Sequence, residues 1–289
     1  MSIQNYLDNI AKTSKLIKTA DYIIIGAGAG LSASCGLNYG DSKIFKQWFP
    51  KLFSEGVETV GDALSIYWNV DDANRREFWA YWANHIQKIR YDSPAGKVYL
   101  ELLDIVKGKN YFVITTNVDS QFNKAGFDEA KLFTPQGNYG LFQCEKPCSD
   151  EVYDNTAMIN NMITNMDYDK FLVREEDIPR CPKCGSYLSK NLRVDDTFVD
   201  VPHMKKQKEY IDFINSSVKG KLLLLELGVG FNTPSIIRWP FEKMVNVHPN
   251  ANLIRMNISY PEVPEEITEK SISFSNDITE VVCDIRRHQ

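Results

Sequence analysis

The sequence predicts an α/β fold, in which a doubly wound, Rossmann-like parallel sheet carries a smaller second domain. Short continuous apolar runs recur along the chain, helical periodicity separates them, and a glycine-rich turn follows the first run. The runs at 22–25, 111–115, 222–227 and 252–256 suit strands buried on both faces, as in a parallel sheet covered by helices. Before the first run, residues 3–19 place Leu7, Ile10, Leu16 and Ile17 near one helical face. Residues 97–106 precede the second run with Val98, Leu102 and Ile105 in the same arrangement, and 210–218 precede the third. Alternating helix and strand is the pattern of a doubly wound sheet. The large domain is expected over 1–40, 91–140 and 191–289.

Two stretches break the rhythm and are expected to form the second domain. Residues 41–90 are rich in Trp and Phe (Trp48, Phe49, Phe53, Trp68, Phe78, Trp79, Trp82) and read as helical, with most of these rings in a core. Residues 141–190 hold four cysteines and little periodicity. Over the whole chain of 289 residues, 33 basic residues oppose 38 acidic ones, a net charge of −5 without basic runs. That balance argues against nucleic-acid binding, which needs clustered Lys and Arg. Apolar stretches such as 222–225 fall far short of the ~20 residues that span a bilayer. The first fifteen residues lack an apolar signal core, so a soluble, cytoplasmic protein is expected.

Four of the six cysteines pair as Cys144-x3-Cys148 and Cys181-x2-Cys184, each pair on a turn containing proline. This is the ligand spacing of a tetrathiolate zinc site. Four thiolates close a tetrahedron and leave no position for water, so the zinc is read as structural. Two disulfides are the alternative, which a cytoplasmic compartment disfavours. Cys35 and Cys283 stand alone and read as small buried hydrophobes.

Directly after the first strand, Gly28-x-Gly30-x-x-Ala33 fits the Gly/Ala variant of the dinucleotide fingerprint in its strand-to-helix context. Missing Cβ atoms let backbone approach a pyrophosphate at a helix N-terminus. No second strand ending in an acid follows about twenty residues later, because the Trp-rich insert occupies that place. A hydride-transferring dehydrogenase is therefore a poor match.

Taken in order, residues 28–37 (GAGLSASCGL), 115–119 (TTNVD) followed by Ala125-Gly126, and Gly228-Val229-Gly230 followed by Pro234 and then Met256-Asn257 resemble the motifs of the sirtuin family. The cysteine pairs fall where sirtuins carry zinc. The resemblance runs from about residue 20 to residue 280. It implies a Rossmann-like large domain, a small zinc domain, and NAD held in the cleft between them. It also implies that Asp119 holds the nicotinamide carboxamide and that Asn117 positions the ribose or a water, with Thr116 beside them. Ala29, Gly30 and Ser32, with Gly28, would face the phosphates. Gly228, Gly230 and Asn257 would surround the adenosine half, and Ile278 would pack near the adenine. Without the other motifs, Asn117-Val118-Asp119 reads as an ordinary Asx turn after a strand.

The departures from the pattern are informative. Sirtuin deacylases carry a His-Gly pair before the zinc cysteines, where this chain has Gln136-Gly137. A neutral amide cannot accept a proton near pH 7 as imidazole does. The family's PDFR segment is replaced by 38–41 (NYGD), and its FGE segment by 198–200 (FVD). None of the four histidines, His85, His203, His248 and His288, sits in a motif position, and His203 is the one near the substrate segment. The combination resembles the macrodomain-associated (class M) sirtuins. That resemblance implies protein ADP-ribosylation with Asn117, Gln136 and Asp119 as the catalytic set. The partner it implies is a lipoylated carrier protein, with a macrodomain protein reversing the modification. A deacylase, an NAD glycohydrolase, a silent NAD-sensing module and a purely structural zinc protein are the alternatives.

Overall fold

In the computed structural model, which describes residues 3–289, the chain runs α1 (Ile3–Thr19), β1 (Tyr22–Ala27), α2 (Ala29–Ala33), α3 (Ser42–Trp48), α4 (Pro50–Ser54), α5 (Val60–Tyr67), α6 (Arg75–Ile86), α7 (Lys97–Val106), β2 (Tyr111–Thr115) and α8 (Gln121–Lys124). It continues through β3 (Leu132–Phe133), β4 (Gly137–Cys144), β5 (Val152–Asp154), α9 (Thr156–Asn165), β6 (Leu188–Leu192), α10 (Val201–Ser217), β7 (Leu222–Leu227), α11 (Arg238–Val247), β8 (Ala251–Met256), β9 (Ser271–Phe274) and α12 (Ile278–Arg287). Two units emerge: the first comprises residues through Gly36, Ala95–Gln136 and His203–Gln289, the second Leu37–Pro94 and Gly137–Pro202.

The first unit is built on a six-stranded sheet of order β3-β2-β1-β7-β8-β9, parallel at every pairing. Ile23, Ile25 and Ala27 face a core shared with Ile10 and Ile17 of α1, Val98 and Leu102 of α7, and Val281 of α12. Ile24 faces the other way, with Leu224, against Tyr210 of α10 and Phe241 and Val245 of α11. Burial on both faces is why these strands read as unbroken apolar runs. The edge strands β3 and β9 are two and four residues long, too short to register as runs. Helix α10 begins nine residues before the expected 210, because its polar stretch at 205–208 (KKQK) hides the apolar period.

The glycines after β1 meet the end of β7. A Cβ on Gly28 would lie 2.7 Å from the Gly228 carbonyl oxygen, and one on Gly30 would lie 2.7 Å from the Gly228 Cα. Gly228 adopts φ +63°, and its own Cβ would stand 2.3 Å from the Leu31 nitrogen. The Gly30 N–H donates to the Gly228 carbonyl at 3.0 Å. These glycines let two backbone turns touch. Gly228→Ala is expected to cost ~3 kcal/mol or more, because a left-handed backbone and a backbone clash both oppose it; denaturant unfolding checks this.

The second unit combines helices α3 to α6 and α9 with an antiparallel sheet of order β5-β4-β6. Asp41 caps α3 by accepting from Lys43 and Ile44 N–H groups, and Thr59 with Asp62 forms a capping box on α5. Phe45, Phe49, Phe78, Trp79 and Trp82 are all 2% exposed or less, so the Trp-rich insert is chiefly core. The cysteine-bearing stretch, despite its weak periodicity, folds as short strands and one helix. Gly137 takes φ +96°, and a Cβ there would sit 2.1 Å from the Asn191 carbonyl oxygen, so only glycine lets β4 start against β6.

Lys190 of β6 is buried, with its ammonium 3.7 Å from the centre of the Trp82 ring and 4.4 Å from that of Phe78. Burial pulls its pKa down to about 7. Between that value and the ordinary one near 10.5, the unfolded chain binds more protons, so this residue makes stability rise with pH across that window. Lys190→Met is expected to flatten the melting temperature's rise across that same window, read by calorimetry.

Candidate active site

Every residue singled out for cofactor or catalysis lies in the first unit, and all but Ile278 sit at the C-terminal ends of β1, β2, β3, β7 and β8. That edge is where open parallel sheets bind ligands. Gly28, Ala29, Gly30 and Ser32 follow β1; Thr116, Asn117 and Asp119 follow β2; Gln136 follows β3; Gly228 and Gly230 follow β7; Asn257 follows β8. Ile278 opens α12 and is 2% exposed, packed within the core.

A buried hydrogen-bond network joins the β1 and β2 turns. The Thr116 N–H donates to the Ala27 carbonyl at 3.0 Å, and the Asn117 N–H to Thr115 Oγ1 at 3.0 Å. Asn117 Nδ2 lies 2.9 Å from the Gly28 carbonyl, 3.1 Å from Ser32 Oγ and 3.3 Å from the Tyr99 hydroxyl. Ser32 Oγ donates to Asp119 Oδ2 at 2.5 Å and stands 2.7 Å from the Tyr99 oxygen. Since Ser32 gives its proton to the carboxylate, Tyr99 is the donor to Ser32. The Gln121 N–H donates to Asp119 Oδ1 at 2.9 Å. Burial pushes the Asp119 carboxyl up, opposed by the Ser32 and Gln121 donors. Burial and the Asp119 charge together raise Tyr99 well above a phenol's usual pKa, which keeps its proton in place.

The Ser32 hydroxyl is therefore turned inward to Asp119 and Tyr99. Nothing in the sequence singles out Tyr99 as a site residue. On α7 it fills a core-facing position of the amphipathic pattern, and only the fold brings its hydroxyl to Asn117, eighteen residues away.

Gln136 is half-buried on the segment joining β3 to β4. His203 is 7% exposed on α10, with Nδ1 3.4 Å from Thr134 Oγ1. Asn257 Nδ2 donates to the Val229 carbonyl at 2.8 Å, and its Oδ1 accepts from the Ser259 and Tyr260 N–H groups at 3.1 and 3.0 Å. It thus ties the β7 and β8 turns together. Gly230 faces open space: a Cβ there would meet no atom within 4 Å.

In the second unit, the Sγ atoms of Cys144, Cys148, Cys181 and Cys184 all lie within 4.8 Å of one another. Cys144 and Cys184 are 3.6 Å apart, Cys148 and Cys181 3.7 Å. Zn–S bonds of about 2.3 Å would set tetrahedral S···S edges near ~3.8 Å, so the four sulfurs suit a tetrahedrally held metal ion.

No family model matches the chain. It is 32% identical to the "Protein ADP-ribosyltransferase" of Staphylococcus aureus over 284 residues, covering 96% of this chain and 88% of that one. It is 30% identical to a "Probable bifunctional ADP-ribose hydrolase/ADP-ribosyltransferase" of Fusarium oxysporum, over 89% of this chain and 44% of that longer protein. Archaeal proteins named NAD-dependent protein deacylases match at 25–27% identity over 62–63% of the chain. Among solved structures, a Sir2 homologue in complex with NAD superposes with a TM-score of 0.57 at 17% identity, covering 96% of this chain and 92% of that one. The fold is that of a Sir2-like α/β protein. The chain belongs to the sirtuin family. Among the described residues, no helix is long and apolar enough to cross a membrane.

Proposed function

We propose that this chain is an NAD-dependent protein ADP-ribosyltransferase that modifies a side chain of a partner protein, a lipoylated carrier protein, and releases nicotinamide. The observation that carries this reading is Gln136, an amide where the sirtuin pattern has histidine, on the same sheet edge as Asn117 and Asp119. NAD, when bound, supplies an anomeric carbon and its own leaving group, through an oxocarbenium-like transition state. Asp119, held by Ser32 and Gln121, accepts from the nicotinamide carboxamide. Asn117, anchored to Gly28 and Tyr99, orients the ribose, with Thr116 beside it. Gln136 hydrogen-bonds the ribose or the acceptor side chain. Having no basic nitrogen, it takes no proton, so the acceptor's proton leaves to water. Removing an acyl group needs a base on the ribose hydroxyls, and losing one costs ~10²–10⁴-fold.

Gly28, Ala29, Gly30 and Ser32 form the turn beneath the phosphates. The open space beside Gly230 suits a ligand approaching Gly228, Gly230 and Asn257. Ile278 contributes to the adenine end through packing. The four cysteines hold a structural zinc ion. A macrodomain hydrolase that reverses the modification is a second partner, a reading supported by the bifunctional name of the Fusarium relative. Labelled NAD incubated with the protein and a lipoylated carrier is the test. Label on the carrier is expected; label recovered only as free ADP-ribose, with none on protein, overturns the reading.

A further inference from the structure

A buried ionic layer lies under the turns that follow β7 and β8. Glu226 and Arg255 are register partners on those strands, both 0% exposed. Arg255 Nε is 2.7 Å from Glu226, and its Nη2 is 2.8 Å from Glu242 of α11. Arg238, 4% exposed at the start of α11, lies 3.5 Å from Glu226 and 3.6 Å from Glu242. Two positive and two negative groups balance. Desolvating four ions costs several kcal/mol each before their attraction is counted, and apolar side chains would fill this layer without that cost.

The arginines also hold backbone. Arg238 donates to the Tyr260 and Glu262 carbonyls at 3.2 and 3.0 Å and lies 3.5 Å from the Val229 carbonyl. Arg255 donates to the Glu262 carbonyl as well. Arg238 also sits 4.6 Å from the centre of the Phe231 ring, which meets Tyr260 edge to face at 5.0 Å. Phe231 and Tyr260 remain 51% and 45% exposed. One guanidinium thus touches both turns, and the carboxylates of Glu226 and Glu242 aim it.

We propose that Arg238 is a positioning residue that locks the Gly228–Phe231 turn to the 257–262 turn, so that the adenosine half of NAD meets a preformed surface. This rests on the reading above that these turns receive the adenosine. The guanidinium spreads five donors over a rigid planar fork that spans two turns, whereas the three donors of lysine sit on one nitrogen at the end of a flexible stem. Arg238→Lys is therefore expected to speed amide hydrogen exchange at 228–232 and 258–263 without ligand. It is also expected to raise KM for NAD about tenfold while kcat stays within about twofold. The charge-balanced pair Glu226→Gln with Arg238→Met repeats the test in a second background, should the lysine variant fail to fold. A folded variant whose turns exchange as slowly as in the parent overturns the proposal, whatever NAD does. Faster exchange with unchanged KM, in a parent that binds NAD, also overturns it. A parent that binds no NAD overturns the functional reading instead, and with it the adenosine role of Arg238.

Discussion

Asn117→Ala is expected to lower NAD turnover by ~10²–10³-fold, the size of effect seen when one preorganised polar contact is lost from a reaction site. The side chain is placed for this by its own surroundings. Its amide nitrogen reaches the Gly28 carbonyl, Ser32 and Tyr99, and so couples the turn after β2 to the turn after β1. Removing it leaves those buried partners short of a donor, costing about 1–3 kcal/mol of stability. Activity should therefore fall far more than stability. Nicotinamide release, read beside the melting temperature, separates the two. Gln136→Ala is expected to reduce modification of a lipoylated carrier, as seen by mass spectrometry. Full modification by both folded variants would place the chemistry elsewhere.

Metal removal is the second large effect expected if the four cysteines hold the ion proposed for them. The four sulfurs converge from β4, from the turn before β5, and from the turn before β6. The exposed residues around Cys148 and Cys184 supply little apolar surface of their own. Structural zinc contributes about 10–16 kcal/mol in zinc-finger peptides, comparable to a typical domain's whole stability. Chelation, or Cys181→Ser, is expected to release one metal ion per chain and unfold the β5-β4-β6 sheet, while the six-stranded sheet persists. Metal analysis together with hydrogen exchange resolved by strand checks this. An unchanged exchange pattern after complete chelation would show that the cysteines do not hold this unit together.

The central strands are legible in the sequence because residues such as Ile23, Leu224 and Ile254 are buried on both faces of the sheet and so form unbroken apolar runs. The glycine turn, the cysteine pairs and Gln136 are legible because each is a local pattern with its chemistry in the residue type. The short edge strands, and β4 to β6 in the cysteine stretch, are not. Their pairing partners are distant in sequence, and two to eight residues carry too little periodicity to announce them.

The glycines show the same division. Local sequence marks Gly28 and Gly30 as a turn that tolerates close approach. Only the assembled sheet reveals that what approaches them within this chain is Gly228, about two hundred residues on. Tyr99 and Arg238 likewise carry no signal in the sequence, since a buried aromatic on α7 and an arginine opening α11 are ordinary there. Residue type and local spacing were enough to name the family pattern and its departure at Gln136. Which hydroxyl holds Asp119, and which guanidinium clamps the far turns, was decided by strand order, because parallel neighbours bring together side chains that the chain itself keeps far apart.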